Sequence, residues 1–183
     1  MGLKEIRKNI DSLDSEILKL LNKRMELVLM AKKFKTKIED NEREKELLSR
    51  VGRRSTGLIS AEFIEKIFIE ILKESKSLQE KSFELIAFQG EHGAYGEVAS
   101  MEWDRDLVPI PCGEFSEVLE GVQSELYEYG IVPVENTLGG AVAQVNQLLI
   151  STDLNVVGAV ELPIHLCLLA VPGTAYREIR SVY

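Results

Sequence analysis

The chain has 183 residues and a formal net charge of −8, unevenly spread: residues 1–82 hold 19 Lys+Arg against 15 Asp+Glu, with three Gly and no Pro, whereas residues 83–183 hold three Arg, no Lys, 15 Asp+Glu, ten Gly and all five Pro. A +4 region thus precedes a −12 region, which predicts two domains, 1–82 and 83–183, and argues against nucleic acid as a partner. Met1-Gly2-Leu3-Lys4-Glu5 leads into an amphipathic pattern rather than a signal peptide, and no apolar run reaches bilayer length, so a cytoplasmic protein with no membrane partner is expected. Cys112 and Cys167 lack metal-type spacing and read as buried free thiols, and neither a metal nor a cofactor is expected.

In the first region Leu3, Ile6, Ile10, Leu13, Ile17, Leu20, Leu27, Ala31, Phe34 and Ile38 recur at alternating steps of three and four, with Arg24 in the slot between Leu20 and Leu27. The spacing predicts a helix from Leu3 to about Ile38, a rod of roughly 50 Å. A rod that long cannot be covered by the rest of an 82-residue domain, so packing against a second copy is expected. A guanidinium inside that seam either snorkels to solvent or meets an anion. Lys35, eleven residues beyond Arg24, falls within roughly 20° of it on the same helical face, whereas Arg7, seventeen residues before, stands about 25 Å away and could reach that pocket only from an antiparallel partner. Asp40 reads as the N-cap of a short second helix ending before Gly52, and a loop, Gly52 to Ile59, follows. Ser60 reads as the N-cap of a third helix reaching about Gln79, with Ile59 and Ile64 as a hydrophobic staple. On that helix Ser75 and Gln79 continue the buried row Ile67, Ile71, so two hydrogen-bonding groups either point inward or belong to a solvated last turn.

The set Leu3-x-x-x-Arg7, Ile10-Asp11-x-Leu13-Asp14, Leu20-Leu21-Asn22-Lys23-Arg24, Lys35, Asp40-x-x-Arg43-Glu44-x-x-Leu47-Leu48 and Ser75-x-x-x-Gln79 resembles the all-helical chorismate mutases over residues 3–80. The resemblance implies a three-helix domain forming an intertwined homodimer with two active sites, each completed by Arg7 from the other subunit. It implies that Arg24 and Arg7 clamp carboxylates of chorismate, Arg43 and Ser75 assist on the ring carboxylate, and Glu44 with the backbone near Asp40 fixes the ring hydroxyl. Lys35 and Gln79 would donate to the ether oxygen. Conversion of chorismate to prephenate is a Claisen rearrangement without proton transfer, for which cations and neutral donors suffice. From the residues alone, Asp40 is better explained as a cap than as a substrate ligand, and Arg43 with Glu44 is open to reading as an ordinary solvated helix face.

In the second region Leu85–Phe88 reads as a short buried strand, followed by Gly90-Glu91-His92-Gly93-Ala94-Tyr95-Gly96 and a helix around Glu97–Trp103. A glycine-rich turn entering a helix can present N–H groups to an anion. Val108–Pro111 and Gly130–Val134 read as further strands and Ser116 as a helix cap. The polar loop Glu135-Asn136-Thr137-Leu138-Gly139-Gly140 precedes another helix, and Val156–Val160 and Ile164–Val171 read as strands. The alternation predicts an α/β domain with a largely parallel sheet and a substrate loop at the strand ends. His92 and His165 read as structural, and Trp103 as core.

Gly90-x-x-Gly93-Ala94-Tyr95, Val132-Pro133-Val134-Glu135-Asn136-Thr137 and Cys167-Leu168-Leu169-Ala170-Val171-Pro172-Gly173 resemble the prephenate dehydratases over residues 84–183. The implied fold is one lobe of a periplasmic-binding-protein-like dehydratase domain, with Asn136 and Thr137 on its substrate loop. Gly96 stands where that family usually has Ser, Leu166 where it has His, and the similarity reaches Tyr183 before the family's second lobe and its Thr-Arg-Phe motif. Residues 83–183 also carry only Arg105, Arg177 and Arg180 as cations, too little charge to grip a dianion well. The expectation is a multidomain α and α/β chain that converts chorismate to prephenate, with dehydration to phenylpyruvate left to a longer parent protein. A dimeric helical module carrying a ligand-sensing lobe without catalysis is the competing expectation.

Overall fold

The computed structural model describes residues 2–35, 37–38, 40–54 and 57–181. Three helices come first: α1 (Leu3–Lys32), α2 (Asn41–Arg54) and α3 (Ala61–Glu80). α1 stops six residues short of the expected Ile38. Lys32, Lys33, Lys35 and Lys37 crowd this stretch, and cations favour the negative end of a helix dipole, so the lysine run marks a terminus rather than a middle. Beyond it the N–H groups of Lys33, Phe34 and Lys35 donate to the carbonyls of Met30, Ala31 and Lys32 at 3.1, 3.2 and 3.2 Å, a tightened i→i−3 turn. Lys35 is therefore not on the helical face that carries Arg24.

Asp40 caps α2 as expected, its Oδ1 accepting from the Arg43 N–H at 3.0 Å. α2 then runs through Gly52 rather than ending before it, since a glycine in an exposed turn costs only about 1 kcal/mol. Ser55 and Thr56 of the expected loop lie outside the described residues. Ser60 caps α3 by accepting from the Phe63 N–H at 3.2 Å.

The α/β lobe is built on β1 (Leu85–Gln89), β2 (Val108–Cys112) and β3 (Tyr129–Ile131), all parallel in the order β2-β1-β3. α4 (Tyr95–Trp103) and α5 (Phe115–Gln123) cover it, α6 (Ala143–Ile150) packs on α5, and a small hairpin, β4 (Glu135–Asn136) with β5 (Gly140–Ala141), precedes α6. Buried on both faces, β1 is apolar at successive positions, as a central parallel strand must be. Leu85 and Ala87 join Ile110, Cys112, Val118 of α5 and Tyr127 in one cluster, which also takes in Leu29 of α1. Phe88 faces the other way, toward α4: a Cβ on Gly96 would come within 3.0 Å of its ring, so the glycine gives α4 its close approach to the strand.

Several expectations for the lobe fail. α5 is capped by Glu114, in a capping box with Glu117, and not by Ser116. The third strand spans Tyr129–Ile131 rather than Gly130–Val134. Residues 156–160 and 164–171 are apolar enough for strands but form none, because a strand exists only where a ladder partner takes its backbone groups. Their side chains stand outward, with Leu166 86% and Leu169 88% exposed. Cys112 is buried, but Cys167 of this segment is exposed. Trp103 is 38% exposed rather than core, lying so close over Gly158 that a Cβ there would meet its ring at 2.0 Å. Among the described residues no helix is long and apolar enough to cross a membrane.

Candidate active site

α1 and α3 lie side by side and bring two pairs of polar side chains together. Arg24 Nη1 donates to Ser75 Oγ at 2.5 Å, and the same hydroxyl donates back to the Ile71 carbonyl at 2.6 Å. One turn further along α3, Gln79 Nε2 donates to the Val28 carbonyl of α1 at 2.7 Å. Ser75 and Gln79 are 6% and 4% exposed, so the inward reading is the correct one and the solvated-turn reading is not. Both are satisfied by partners on α1, as groups this buried must be. Desolvation by burial draws the Arg24 guanidinium below its ordinary pKa, a sign that the charge lies against the bundle rather than in water.

Beside Gln79 the end of α1 and the chain beyond it border a half-open hollow of about 200 Å³ lined by Lys32, Lys35, Lys37, Ile38 and Gln79. Three lysines and an amide side chain thus border one hollow, a lining that favours a small anion, while the Lys32 ammonium itself donates to the Lys81 carbonyl at 2.7 Å. Lys35 reaches this hollow through the turn after α1 rather than through helical periodicity. Lys32 and Lys37 had no assigned role in the sequence. The lysine run was the available signal, but it does not reveal which of its members turn inward.

The remaining candidates are less convergent. Glu44 pairs with Lys76 of α3 at 2.9 Å, a partner that the sequence did not suggest. Arg43 lies 3.7 Å from Glu46 with both side chains largely exposed, and the Asp40 carboxylate is engaged as the α2 cap. Arg7 is exposed on α1, and within one chain it does not join Arg24.

In the α/β lobe the expected anion cradle is filled from within. The Gly90 N–H goes to the Cys112 carbonyl at 2.9 Å, the Ala94 N–H to the Glu91 carbonyl at 3.0 Å, and the Gly93 N–H to Glu97 Oε2 at 2.6 Å. Gly90 and Gly93 have φ of 126° and 89°, the left-handed conformation that requires glycine in this turn. His92 bridges Glu97 Oε1, at 2.7 Å from Nδ1, and Glu26 of α1, at 2.8 Å from Nε2, in agreement with a structural role. Its pKa is raised, chiefly by the Glu97 hydrogen bond and further by Glu26, against an opposing desolvation. Asn136 and Thr137 are exposed in the hairpin, where Asn136 Oδ1 accepts from the Leu138 and Gly139 N–H groups at 2.9 and 3.1 Å. That oxygen shapes its own turn. Among the described residues no group of His, Cys, Asp and Glu could hold a metal.

A helical region with a lysine-lined hollow is joined to a parallel α/β lobe, so the chain is built of two unlike regions. Residues 6–80 match the family described as chorismate mutase type II, and residues 86–183 match prephenate dehydratase. The chain belongs to the prephenate dehydratase family, in its bifunctional form with a chorismate mutase region ahead of the first dehydratase lobe. It is 31% identical to the bifunctional chorismate mutase/prephenate dehydratase of Aquifex aeolicus and 29% identical to that of Buchnera aphidicola from Schizaphis graminum, covering in each case 99% of this chain and 52% of the relative. The chain thus spans about half the length of the curated relatives it matches. A solved chorismate mutase from Helicobacter pylori, in complex with prephenate, is 34% identical and covers 43% of this chain and 89% of its own, at a TM-score of 0.41.

Proposed function

We propose that the helical region converts chorismate to prephenate, and that it does so as a homodimer. The observation that carries this reading is the convergence of Arg24 with buried Ser75, and of Lys35 with buried Gln79, along the α1–α3 groove. A Claisen rearrangement needs the substrate held in its reactive conformer and negative charge stabilised on the breaking ether oxygen. Lys35 and Gln79, at the hollow, are the donors suited to that oxygen, and their bonds strengthen as its charge develops. Arg24 and the partner subunit's Arg7 would hold the carboxylates, with Arg43 and Ser75 assisting on the ring carboxylate. Glu44 would take the ring hydroxyl together with the backbone at Asp40, in competition with Lys76.

The dimer is supported by the outer stripe of α1, where Ile10, Leu13, Ile17, Leu20 and Leu27 are 50–68% exposed. An apolar stripe of that extent on a chain with ordinary composition calls for a covering surface. A second antiparallel α1 would supply both the cover and Arg7. Mixing Arg7→Ala with Arg24→Ala subunits should restore part of the activity that each lacks alone, by assembling one intact site; no recovery after subunit exchange rejects the shared site.

Dehydration is not expected of this chain. Residues 83–183 offer few cations, the glycine turn spends its N–H groups on Glu97, Glu91 and Cys112, and the Asn136 oxygen is committed to its hairpin. Incubation with chorismate should accumulate prephenate without phenylpyruvate. Phenylpyruvate above the spontaneous rate would refute this part of the reading, and absence of prephenate would refute the first.

A further inference from the structure

The end of α1 is gripped from the α/β lobe. The Lys33 ammonium pairs with Glu128 Oε1, the two side chains being 28% and 27% exposed. Glu128 is itself anchored to the central strand: its Oε2 accepts from the Leu85 N–H at 2.7 Å, and its own N–H donates to the Leu85 carbonyl at 3.1 Å. Leu85 is 1% exposed, at the base of the sheet, so the carboxylate stands on one of the firmest points of the lobe. Desolvation pushes the Glu128 carboxyl upward, but the Leu85 N–H and Lys33 outweigh it and the net shift is downward, so the group is ionised at neutral pH.

Lys33 is two residues from Lys35, and the path between them is short of freedom. The i→i−3 bonds of Lys33, Phe34 and Lys35 to Met30, Ala31 and Lys32 tie this turn to the last turn of α1. Lys35 lines the basic hollow with Gln79. Of the four lysines between residues 32 and 37, Lys32, Lys35 and Lys37 line the hollow, whereas Lys33 is turned to Glu128. The carboxylate therefore fixes the turn and withdraws one of four like charges from the place where an anion would sit.

From this geometry we infer that Glu128 of the α/β lobe is a positioning residue for the mutase reaction, setting through Lys33 where Lys35 presents its ammonium. The inference rests on the mutase reading of the helical region. It makes the lobe a structural part of the first site and not only the bearer of a second one.

The test uses the full chain with Lys33→Met, Glu128→Gln and both together, assayed for chorismate turnover. Glu128→Gln keeps an oxygen for the Leu85 N–H, and Lys33→Met leaves the lobe untouched, so a folding defect in the lobe cannot produce the effect in both. Each single substitution should lower kcat roughly three- to tenfold with KM changed by less than about twofold, since a reacting group is displaced rather than substrate binding removed. The double substitution should be no slower than the slower single one, because the two residues act as one unit. Both singles within about twofold of the unaltered chain in kcat, a loss confined to KM, or losses that multiply in the double would overturn the inference. An unaltered chain without turnover would instead remove the mutase reading beneath it, and is told apart by being seen before any substitution.

Discussion

Among the described residues of the helical region, the buried ones are Leu29, Ser75 and Gln79; in the α/β lobe the buried side chains are Leu85, Ile86, Ala87, Phe88, Leu107, Ile110, Cys112, Val118, Leu119, Tyr127 and Val145, with Ser100 as the polar one among them. The lobe closes a core of its own by the ordinary route of removing apolar surface from water. The helical region does the reverse, turning polar groups inward and leaving an apolar stripe outside. Leu29 is buried only because it joins the lobe's cluster. On the proposed reading that interior serves a ligand and that exterior a second subunit, so the region's stability and chemistry would depend on what it meets.

The sharpest way to break that contrast is to place a charge on the stripe. Ile17 is 54% exposed in the single chain, so Ile17→Glu should be neutral within about 0.5 kcal/mol if nothing covers it. With a second copy in place, a carboxylate buried without a partner should dissociate the dimer and reduce turnover by roughly a hundredfold or more. Sedimentation and chorismate turnover read both outcomes, and a fully active Ile17→Glu protein would sink the dimer. Next, Phe88→Ala should cost the lobe about 3–5 kcal/mol by emptying a fully buried site, read as a lower denaturant midpoint. An equal change in the Ile17→Glu protein's lobe transition would show that the two regions do not differ as described.

Lys35→Ala and Gln79→Ala address the interior of the helical region. Each should raise the barrier by about 1.5–3 kcal/mol, expressed in kcat more than in KM, because the bond to the ether oxygen tightens toward the transition state. Weaker binding at unchanged turnover would put both residues in a ground-state role. The smallest effect concerns the His92 bridge between the regions. Its folded pKa is raised from 6.5, first by the Glu97 hydrogen bond and then by Glu26, so the stabilisation is complete below 6.5 and is lost as pH rises through the raised value. The melting temperature of the unaltered chain should therefore approach that of His92→Gln across this window, by at most about 2 °C for so exposed a bridge. A gap that does not change with pH would remove the charge from the bridge.

Local chemistry was legible in the sequence where the cause was local. Asp40 and Ser60 act as caps because each needs only an N–H three residues ahead, and Leu85–Phe88 forms the central strand because an unbroken apolar run suits a strand buried on both faces. Arg24, Ser75 and Gln79 were legible as polar residues at apolar positions. Errors arose where a distant partner decides. Residues 156–160 and 164–171 carry strand composition, yet strand formation is a property of a pair. The glycine turn has the residues of an anion cradle, yet Glu97 in the next helix occupies its Gly93 N–H.

The sequence by itself determined the helical and α/β character of the two regions, the caps Asp40 and Ser60, and the residue types gathered around the groove, because periodicity, dihedral preference and side-chain hydrogen bonding act over a few residues. Only the tertiary structure decided that Lys35 and Gln79 line one hollow, that Lys76 faces Glu44, and that Lys33 and His92 pair with carboxylates across the two regions. Those contacts join groups as far apart as 95 residues along the chain. No local rule chooses among several lysines for a carboxylate that far away; the choice is made when the packed elements leave only one of them within reach.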